Sequence, residues 1–210
     1  MNNKIVKVLG LLAVVILSGC TATGKYTTPL TQTNHIVKED KAAIVFFRAS
    51  SFGGAITSPL VEIANNDGDN SLIGIIGPKE KMIKYVDPGE HTFMVVGESG
   101  DFMKANVEAG KVYYSVIRPR LGFWKSRFSL TPFKVNSEHA DFNINGASLK
   151  KLLKECSYTQ PSDSAFTWHR GKELELKELY KEYYPTWENK AAAKKEAATL
   201  LSIDGLAQEL

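Results

Sequence analysis

The residues with the clearest chemistry stand near the start of the chain, where a thiol follows a run of apolar and small residues. Lys4 and Lys7 precede an apolar stretch from residue 8 to residue 17, and the sequence then reads Leu17-Ser18-Gly19-Cys20. Ten residues of helix rise about 15 Å, only half of a ~30 Å hydrocarbon core, so this stretch is too short to cross a membrane. A basic start followed by a short apolar run and small residues is typical of a cleaved signal peptide.

These twenty residues resemble the lipobox of bacterial lipoproteins. The resemblance implies transfer of a diacylglyceryl group to the Cys20 thiol, cleavage after Gly19, and acylation of the new amino terminus with a chain such as palmitate. Two or more acyl chains hold a protein stably on a membrane. The next residue is Thr21 rather than Asp, which by the sorting rules of the family implies the outer membrane, with the domain facing the periplasm. The alternative is an ordinary signal peptide followed by an unrelated cysteine.

The second cysteine, Cys156, has no intramolecular partner if Cys20 carries lipid, because the sequence contains two cysteines. Cys156 follows Leu152 and Leu153 in a pattern with helical spacing, which favours a buried thiol. The alternatives are an intermolecular disulfide and a reactive group. A catalytic thiol needs a low pKa and a nearby base, and no histidine is adjacent in the sequence.

The four histidines give no support for catalysis or metal binding. They are His35, His91, His139 and His169, and none lies at metal-ligand spacing from another histidine or a cysteine. His91 is at the start of a predicted strand, where we expect a structural hydrogen bond. The segment 137–141 contains Ser, His and Asp, but triad members normally come from distant segments, so a solvated loop is favoured. We therefore predict no catalytic residues, no metal and no cofactor.

The strongest candidate binding site is a turn that combines cations with large apolar side chains. Its residues are Arg118, Arg120, Phe123, Trp124, Lys125 and Arg127. Pro119 and Gly122 favour a turn at this point. An exposed tip of this composition can contact anionic lipid, glycan or an envelope protein. In the alternative, the two aromatic side chains fold back onto the domain and the cations stay solvated.

The overall charge argues against a nucleic-acid-binding protein. The whole chain has a formal net charge of +3, and cleavage after Gly19 removes Lys4 and Lys7 and no acid, which leaves +1. A general nucleic-acid binder requires a basic surface field.

These candidate sites must be positioned by a mainly β fold. Eight short apolar or alternating runs between residues 43 and 135 are separated by Gly, Pro, Asn and Asp, which predicts a β-sandwich or small barrel of about eight strands. The predicted organisation is a signal peptide at 1–19, a flexible lipidated tether at 20–40, the β-sandwich at 41–136 and a helical extension at 137–210.

Three helices are predicted in the extension. They cover residues 147–154, residues 171–184, where Pro185 should end the helix, and residues 188–201. Tyr180, Tyr183, Tyr184 and Trp187 cluster in the sequence. We expect them to dock on the sandwich, since a helix is stabilised mainly through its packed face; docking on a second protein is the alternative.

The predicted sandwich also resembles an uncharacterised family of bacterial lipoprotein β-domains. The resemblance rests on residues 43–48 with Ser50-Ser51-Phe52, on residues 86–92, and on residues 108–114. In order, these are an aromatic strand with an arginine, a Pro-Gly turn before a His-Thr strand, and a Gly-Lys turn before a Tyr-Tyr strand. The resemblance covers roughly residues 41–135, and it implies a sandwich on a lipid anchor with no established activity.

Taken together, the sequence predicts a non-enzymatic lipoprotein of the cell envelope that acts as a binding or assembly module. The first alternative is an envelope hydrolase whose site is assembled from distant residues around His91 or His139. The second is a structural spacer. Fold class does not decide among them, because β-sandwiches support many functions.

Overall fold

A computed structural model describes residues 24–31, 36–49, 58–120 and 127–210. These residues form two β-sheets with helices at the C-terminal end, which confirms the predicted fold class. Four of the residues predicted to carry function, Cys20, Phe123, Trp124 and Lys125, lie outside the described residues, as do the signal peptide and the Ser50-Ser51-Phe52 motif.

The strands are β1 (Thr27–Pro29), β2 (Ala42–Arg48), β3 (Ser58–Ile63), β4 (Asn70–Ile76), β5 (Glu80–Val86), β6 (Gly89–Val96), β7 (Gly100–Val107), β8 (Val112–Arg120), β9 (Arg127–Pro132), β10 (Ser157–Pro161) and β11 (Thr199–Leu200). The helices are α1 (Ala147–Glu155), α2 (Asp163–Glu188) and α3 (Ala192–Ala197), with short 3-10 turns at Ala140–Phe142 and Ser202–Asp204. Strands β2 to β9 coincide with the eight predicted runs.

The strands are arranged in a six-stranded and a five-stranded sheet. The six-stranded sheet has the order β1-β10-β5-β2-β8-β9, and the five-stranded sheet has the order β11-β7-β6-β3-β4. In the first sheet β2 pairs antiparallel with β5 and parallel with β8. Strands β8 and β9 pair antiparallel at one edge of this sheet, while β1 forms the opposite edge.

Strand β2 is buried along its whole length because both faces of its sheet are covered. Successive side chains of a strand point to opposite faces. Ile44 and Phe46 therefore join the core between the two sheets, where Phe46 meets Phe93 of β6 at 5.3 Å between ring centroids. Val45 and Phe47 face the other way and join the cluster that contains α1. This double burial accounts for a continuous apolar sequence where a half-buried strand would alternate.

The C-terminal helices cover the two outer faces of the sandwich. Leu149 and Leu152 of α1 pack against the outer face of the six-stranded sheet. Leu176, Tyr180 and Trp187 of α2 pack against the outer face of the five-stranded sheet, which confirms the expected docking of this aromatic cluster on the sandwich. The helices are thus part of one layered structure.

Two segments differ from the predicted organisation. Within the predicted tether, β1 pairs with β10 and Ile36 is buried. Within the predicted helical extension, β10 and β11 join the edges of the two sheets. Strands β1 and β10 are polar and lack a hydrophobic period. Their backbone groups bond to neighbouring strands, and this pairing outweighs their weak intrinsic preference for a strand.

The prediction that Pro185 ends a helix was wrong. Helix α2 begins at Asp163 and continues past Pro185 to Glu188. A proline inside a helix costs about 3 kcal/mol through a lost hydrogen bond and steric conflict. The buried Trp187 on the next turn offsets this, because its ring packs on Phe102 at 6.2 Å between centroids. The predicted third helix is correspondingly shorter, since α3 covers Ala192–Ala197.

Candidate binding sites

The described part of the predicted binding tip lies at the end of the β8–β9 hairpin. Arg120 is the last residue of β8, Arg127 is the first of β9, and the two are paired across the hairpin. Arg118 pairs with Ser129 one step earlier. All three arginines are exposed. We refer to Arg118, Arg120 and Arg127 as the hairpin base.

Two of these arginines are held by contacts within the chain. Arg118 donates from Nε to Thr131 Oγ1 at 3.1 Å, and its guanidinium lies 4.4 Å from the Phe142 ring centroid, in a cation–π geometry. Partial burial and the nearby Arg120 lower the pKa of Arg118, although an arginine side chain stays protonated in proteins. Arg120 donates from Nε to Ser129 Oγ.

Asp101 connects the hairpin base to the other sheet and to the end of α2. Its carboxylate accepts the Leu130 backbone N–H at 3.2 Å and lies 3.5 Å from Arg120 Nη2 and 3.3 Å from Lys190 Nζ. Within the described ranges, Arg118 and Arg127 form no ion pair. The hairpin base therefore keeps a positive surface charge after its internal contacts are counted.

A second candidate site, which the sequence did not predict, is a cavity of about 550 Å³ between one end of the five-stranded sheet and α2. Its lining includes Glu62, Asn65, His91, Lys104, Tyr180 and Tyr184. The lining is a mixture of charged, amide and aromatic groups.

An ionic cluster crosses the sandwich beside this cavity. Glu62, His91 and Lys84 occupy strand positions that alternate with core residues, so all three side chains point between the sheets. Glu62 lies 2.8 Å from Lys84 Nζ through Oε2 and 2.8 Å from His91 Nδ1 through Oε1. His91 Nε2 lies 2.8 Å from the Asp87 carbonyl oxygen. His91 thus makes the structural hydrogen bonds expected of it.

The two hydrogen bonds of His91 favour its protonated form. Both ring nitrogens face oxygen acceptors, and only the imidazolium can donate from both. The hydrogen bond to Glu62 raises the pKa of His91, with burial opposing it. Burial would raise the pKa of Glu62, but the hydrogen bonds from His91 and Lys84 outweigh it and hold that pKa below its ordinary value. The cluster is therefore a cation–anion–cation bridge between the sheets.

This arrangement does not supply a general base. A base must have a free lone pair within reach of the proton that it removes, and both nitrogens of His91 are already occupied. The described contacts of His139 with Ser137 use backbone atoms of the histidine, so they do not activate the hydroxyl. Cys156 is buried, and burial raises the pKa of its thiol to about 11, which disfavours the thiolate.

Tyr180 and Tyr184 of α2, which line the cavity, belong to an aromatic cluster. Phe102 of β7 is surrounded edge-on by Tyr180 at 5.9 Å, Tyr184 at 5.2 Å and Trp187 at 6.2 Å. Lys104 lies 5.6 Å from the Trp187 ring centroid and 3.3 Å from Glu188 Oε2. Burial lowers the pKa of Lys104, but its bonds to Tyr184 and Glu188 reverse that effect. Glu62, His91 and Lys104 of the cavity are thus paired within the chain.

The cavity could have been predicted only in part. Glu62 two positions after the core residue Leu60, and His91 two before Phe93, place charged groups on an inward strand face. The sequence does not reveal how the strands and sheets are arranged. It therefore could not predict the pairing of Glu62 with His91 and with Lys84.

No helix in the described ranges is both long and apolar enough to span a bilayer. No group of three or more His, Cys, Asp or Glu side chains in the same ranges could hold a metal ion.

Comparison with protein-family models, with curated proteins and with solved structures finds no match to this chain.

Proposed function

We propose that this chain is a lipoprotein of the bacterial cell envelope, anchored by acyl chains on Cys20, whose sandwich acts as a non-enzymatic binding or assembly module. The observation that carries the proposal is the order of the first twenty residues, in which Lys4 and Lys7, an apolar run and Leu17-Ser18-Gly19-Cys20 follow one another. Thr21 after the cysteine supports the outer membrane, with the domain in the periplasm.

The hairpin base is the binding surface that we propose for this module. A guanidinium carries five N–H donors. Arg118 uses its Nε donor on Thr131, so the donors on its two terminal nitrogens are available to a partner. Arg127 lies beside it without an ion pair in the described ranges. Several free donors on a fixed backbone favour a partner with carboxylate or phosphate groups.

A binding role is favoured over the hydrolase alternative because the imidazole best placed for catalysis is occupied. His91 bonds through both nitrogens, to Glu62 and to Asp87. The charges around it compensate one another and tie the sheets together, which is a structural arrangement.

The proposal is tested by crosslinking the lipidated protein in cells and recovering its partners. We expect Arg127→Glu to reduce recovery of a specific partner, because the substitution reverses an exposed charge of the hairpin base. Lys150→Glu is the matched control, since Lys150 is an exposed cation on α1 and is not part of the hairpin. Equal recovery with both variants and the unmodified chain would contradict a binding role for this surface. The chemical class of the recovered partner separates protein, glycan and lipid.

A further inference from the structure

Helix α2 leaves large apolar side chains exposed outside its packed face. Ala165, Leu176 and Tyr180 are buried against the domain, whereas Phe166 is 42 % and Leu174 is 77 % exposed. Arg170, four residues from each of them, is exposed as well. Residues four apart lie on one side of a helix, so these three form a single stripe about 12 Å long.

This stripe begins where the amino-terminal segment joins the domain. Ser162, which precedes α2, donates from Oγ to the Lys25 carbonyl oxygen at 3.1 Å and from its backbone N–H to the Tyr26 carbonyl oxygen at 3.0 Å. Phe166 follows one helical turn later, and side chains on a helix tilt toward its amino terminus. Lys25 is exposed beside it. We call Lys25, Phe166, Arg170 and Leu174 the Phe166 surface.

The position of Cys20 limits how far this surface can be from the membrane. Gly24, the first described residue, is four residues from Cys20, and an extended chain covers at most about 3.6 Å per residue. The spacer is therefore no longer than about 14 Å. Beyond it the chain is fixed to the domain, because Thr27 donates to the Glu80 carboxylate at 2.8 Å and β1 pairs with β10.

We infer that the Phe166 surface lies against the head-group region of the bilayer that carries the Cys20 lipid. The inference rests on the proposed lipid anchor. Exposed aromatic and aliphatic side chains beside cations are the composition that inserts at this depth, about 5 to 10 Å into the interface. Lys25 and Arg170 meet anionic head groups, and the exposed carboxylates that oppose them are Asp163 on the first turn of α2 and Glu173 and Glu175 on either side of Leu174. The anchor and this surface together orient the domain.

The test places an environment-sensitive fluorophore on the surface of the full-length lipidated protein. Phe166→Cys is labelled with a nitrobenzoxadiazole probe, and Ile203→Cys is the matched control. Ile203 is 59 % exposed and lies in the 3-10 turn after β11. Strand β11 is one edge of the five-stranded sheet, and β4 is the opposite edge. Because β4 is the strand of this sheet that contacts β1, Ile203 lies far from the amino-terminal segment. The native Cys156 does not compete for the label, because its thiol is buried and its pKa is raised to about 11.

Both proteins are reconstituted into vesicles of phosphatidylethanolamine and phosphatidylglycerol with brominated acyl chains. We expect loss of fluorescence at position 166 and none at position 203. The charge reversals Lys25→Glu and Arg170→Glu together should restore part of the fluorescence at 166.

Mass spectrometry of the same samples distinguishes a failure of the proposed anchor from a failure of the inferred orientation. If Cys20 carries the acyl mass and the two positions are quenched equally, or position 166 is not quenched, the inferred orientation is overturned and the anchor stands. If Cys20 carries no acyl mass, the anchor itself is overturned, and the orientation with it.

Discussion

The Phe166 surface and the hairpin base are both exposed and cationic, yet they lie at opposite edges of the molecule. The Phe166 surface adjoins β1, which begins seven residues after Cys20. The hairpin base lies on β8 and β9, and four strands separate β9 from β1. At about 4.8 Å per strand, the two edges are about 24 Å apart along the sheet. Under the proposed anchor, position relative to Cys20, more than composition, separates the surface that we expect at the membrane from the surface that we expect to bind another partner.

The two surfaces also differ in what holds them. Helix α2 is attached to the five-stranded sheet mainly by the aromatic cluster around Phe102. The hairpin base is fixed by the β8–β9 ladder and by Asp101. A substitution in the aromatic cluster should loosen the first surface more than the second, because the β8–β9 ladder also holds the hairpin base.

The largest effect is expected for Phe102→Ala. Phe102 is fully buried and contacts Tyr180, Tyr184 and Trp187, so its truncation should lower the free energy of unfolding by about 3–5 kcal/mol. Urea unfolding measures the loss. Hydrogen exchange should accelerate more in α2 than in β8 and β9. Equal acceleration in all three elements would remove the distinction between the two surfaces.

A smaller effect is expected for Gly68→Ala in the β3–β4 turn. Gly68 has φ of 81°, and a Cβ there would lie 2.8 Å from Tyr180 Cδ1. The left-handed backbone alone costs a non-glycine residue about 1–3 kcal/mol. Gly110→Ala is the control, because Gly110 has φ of 73° with open space around it. The excess loss of unfolding free energy at Gly68 reports the Tyr180 contact. If the two variants lose the same amount, α2 does not depend on this contact.

The pH dependence of stability should affect both surfaces together, because the bridge of Glu62, His91 and Lys84 joins the two sheets. The ordinary pKa of His91 is 6.5, and the hydrogen bond to Glu62 raises it in the folded state. The stabilisation is therefore complete below pH 6.5 and is lost as the pH rises through the higher folded pKa. Lys84, Glu62, Asp87 and Lys41, which pairs with Asp87, are the charged groups around it.

The comparison of the unmodified chain with His91→Gln isolates this contribution. Burial lowers the pKa of His169, which gives the opposite slope near neutral pH, but His169 is present in both proteins. Thermal unfolding from pH 5 to pH 9 should show that the unmodified chain loses its advantage over the variant as the pH rises. A constant difference across this range would show that His91 is not held as the imidazolium.

The smallest effects are expected at the hairpin base itself. Arg127→Ala should change the free energy of unfolding by less than about 0.5 kcal/mol, because an exposed side chain without an ion pair contributes little. Arg120→Ala loses the exposed pairing with Asp101, for which up to about 1 kcal/mol is typical. Unfolding by denaturant compares the two. A larger loss for Arg127 than for Arg120 would contradict the described contacts.

Much of the fold could be predicted, because β2 to β9 carry their own signals. Phe46 and Phe47 of β2, for example, stand in a dense apolar run. By contrast, β10 has the sequence Ser-Tyr-Thr-Gln-Pro, and it is a strand because β1 and β5 bond to it. No local pattern reveals such a partner.

The candidate sites also differ in whether the sequence alone could predict them. The cations of the hairpin base are evident in the sequence because Arg118, Arg120 and Arg127 are close together. The bridge of Glu62, His91 and Lys84 joins three strands from two sheets, so it depends on the stacking of those sheets. The exposure of Phe166 also could not be predicted, since it depends on which face of α2 packs on the five-stranded sheet.

The most direct test of the proposed anchor is the intact mass of the mature protein purified from bacterial membranes. We predict an amino-terminal Cys20 that carries diacylglyceryl and amide-linked acyl groups, and a Cys20→Ser variant that leaves the membrane fraction. A mature protein without acyl mass, or a serine variant that still sediments with membranes, would contradict the account.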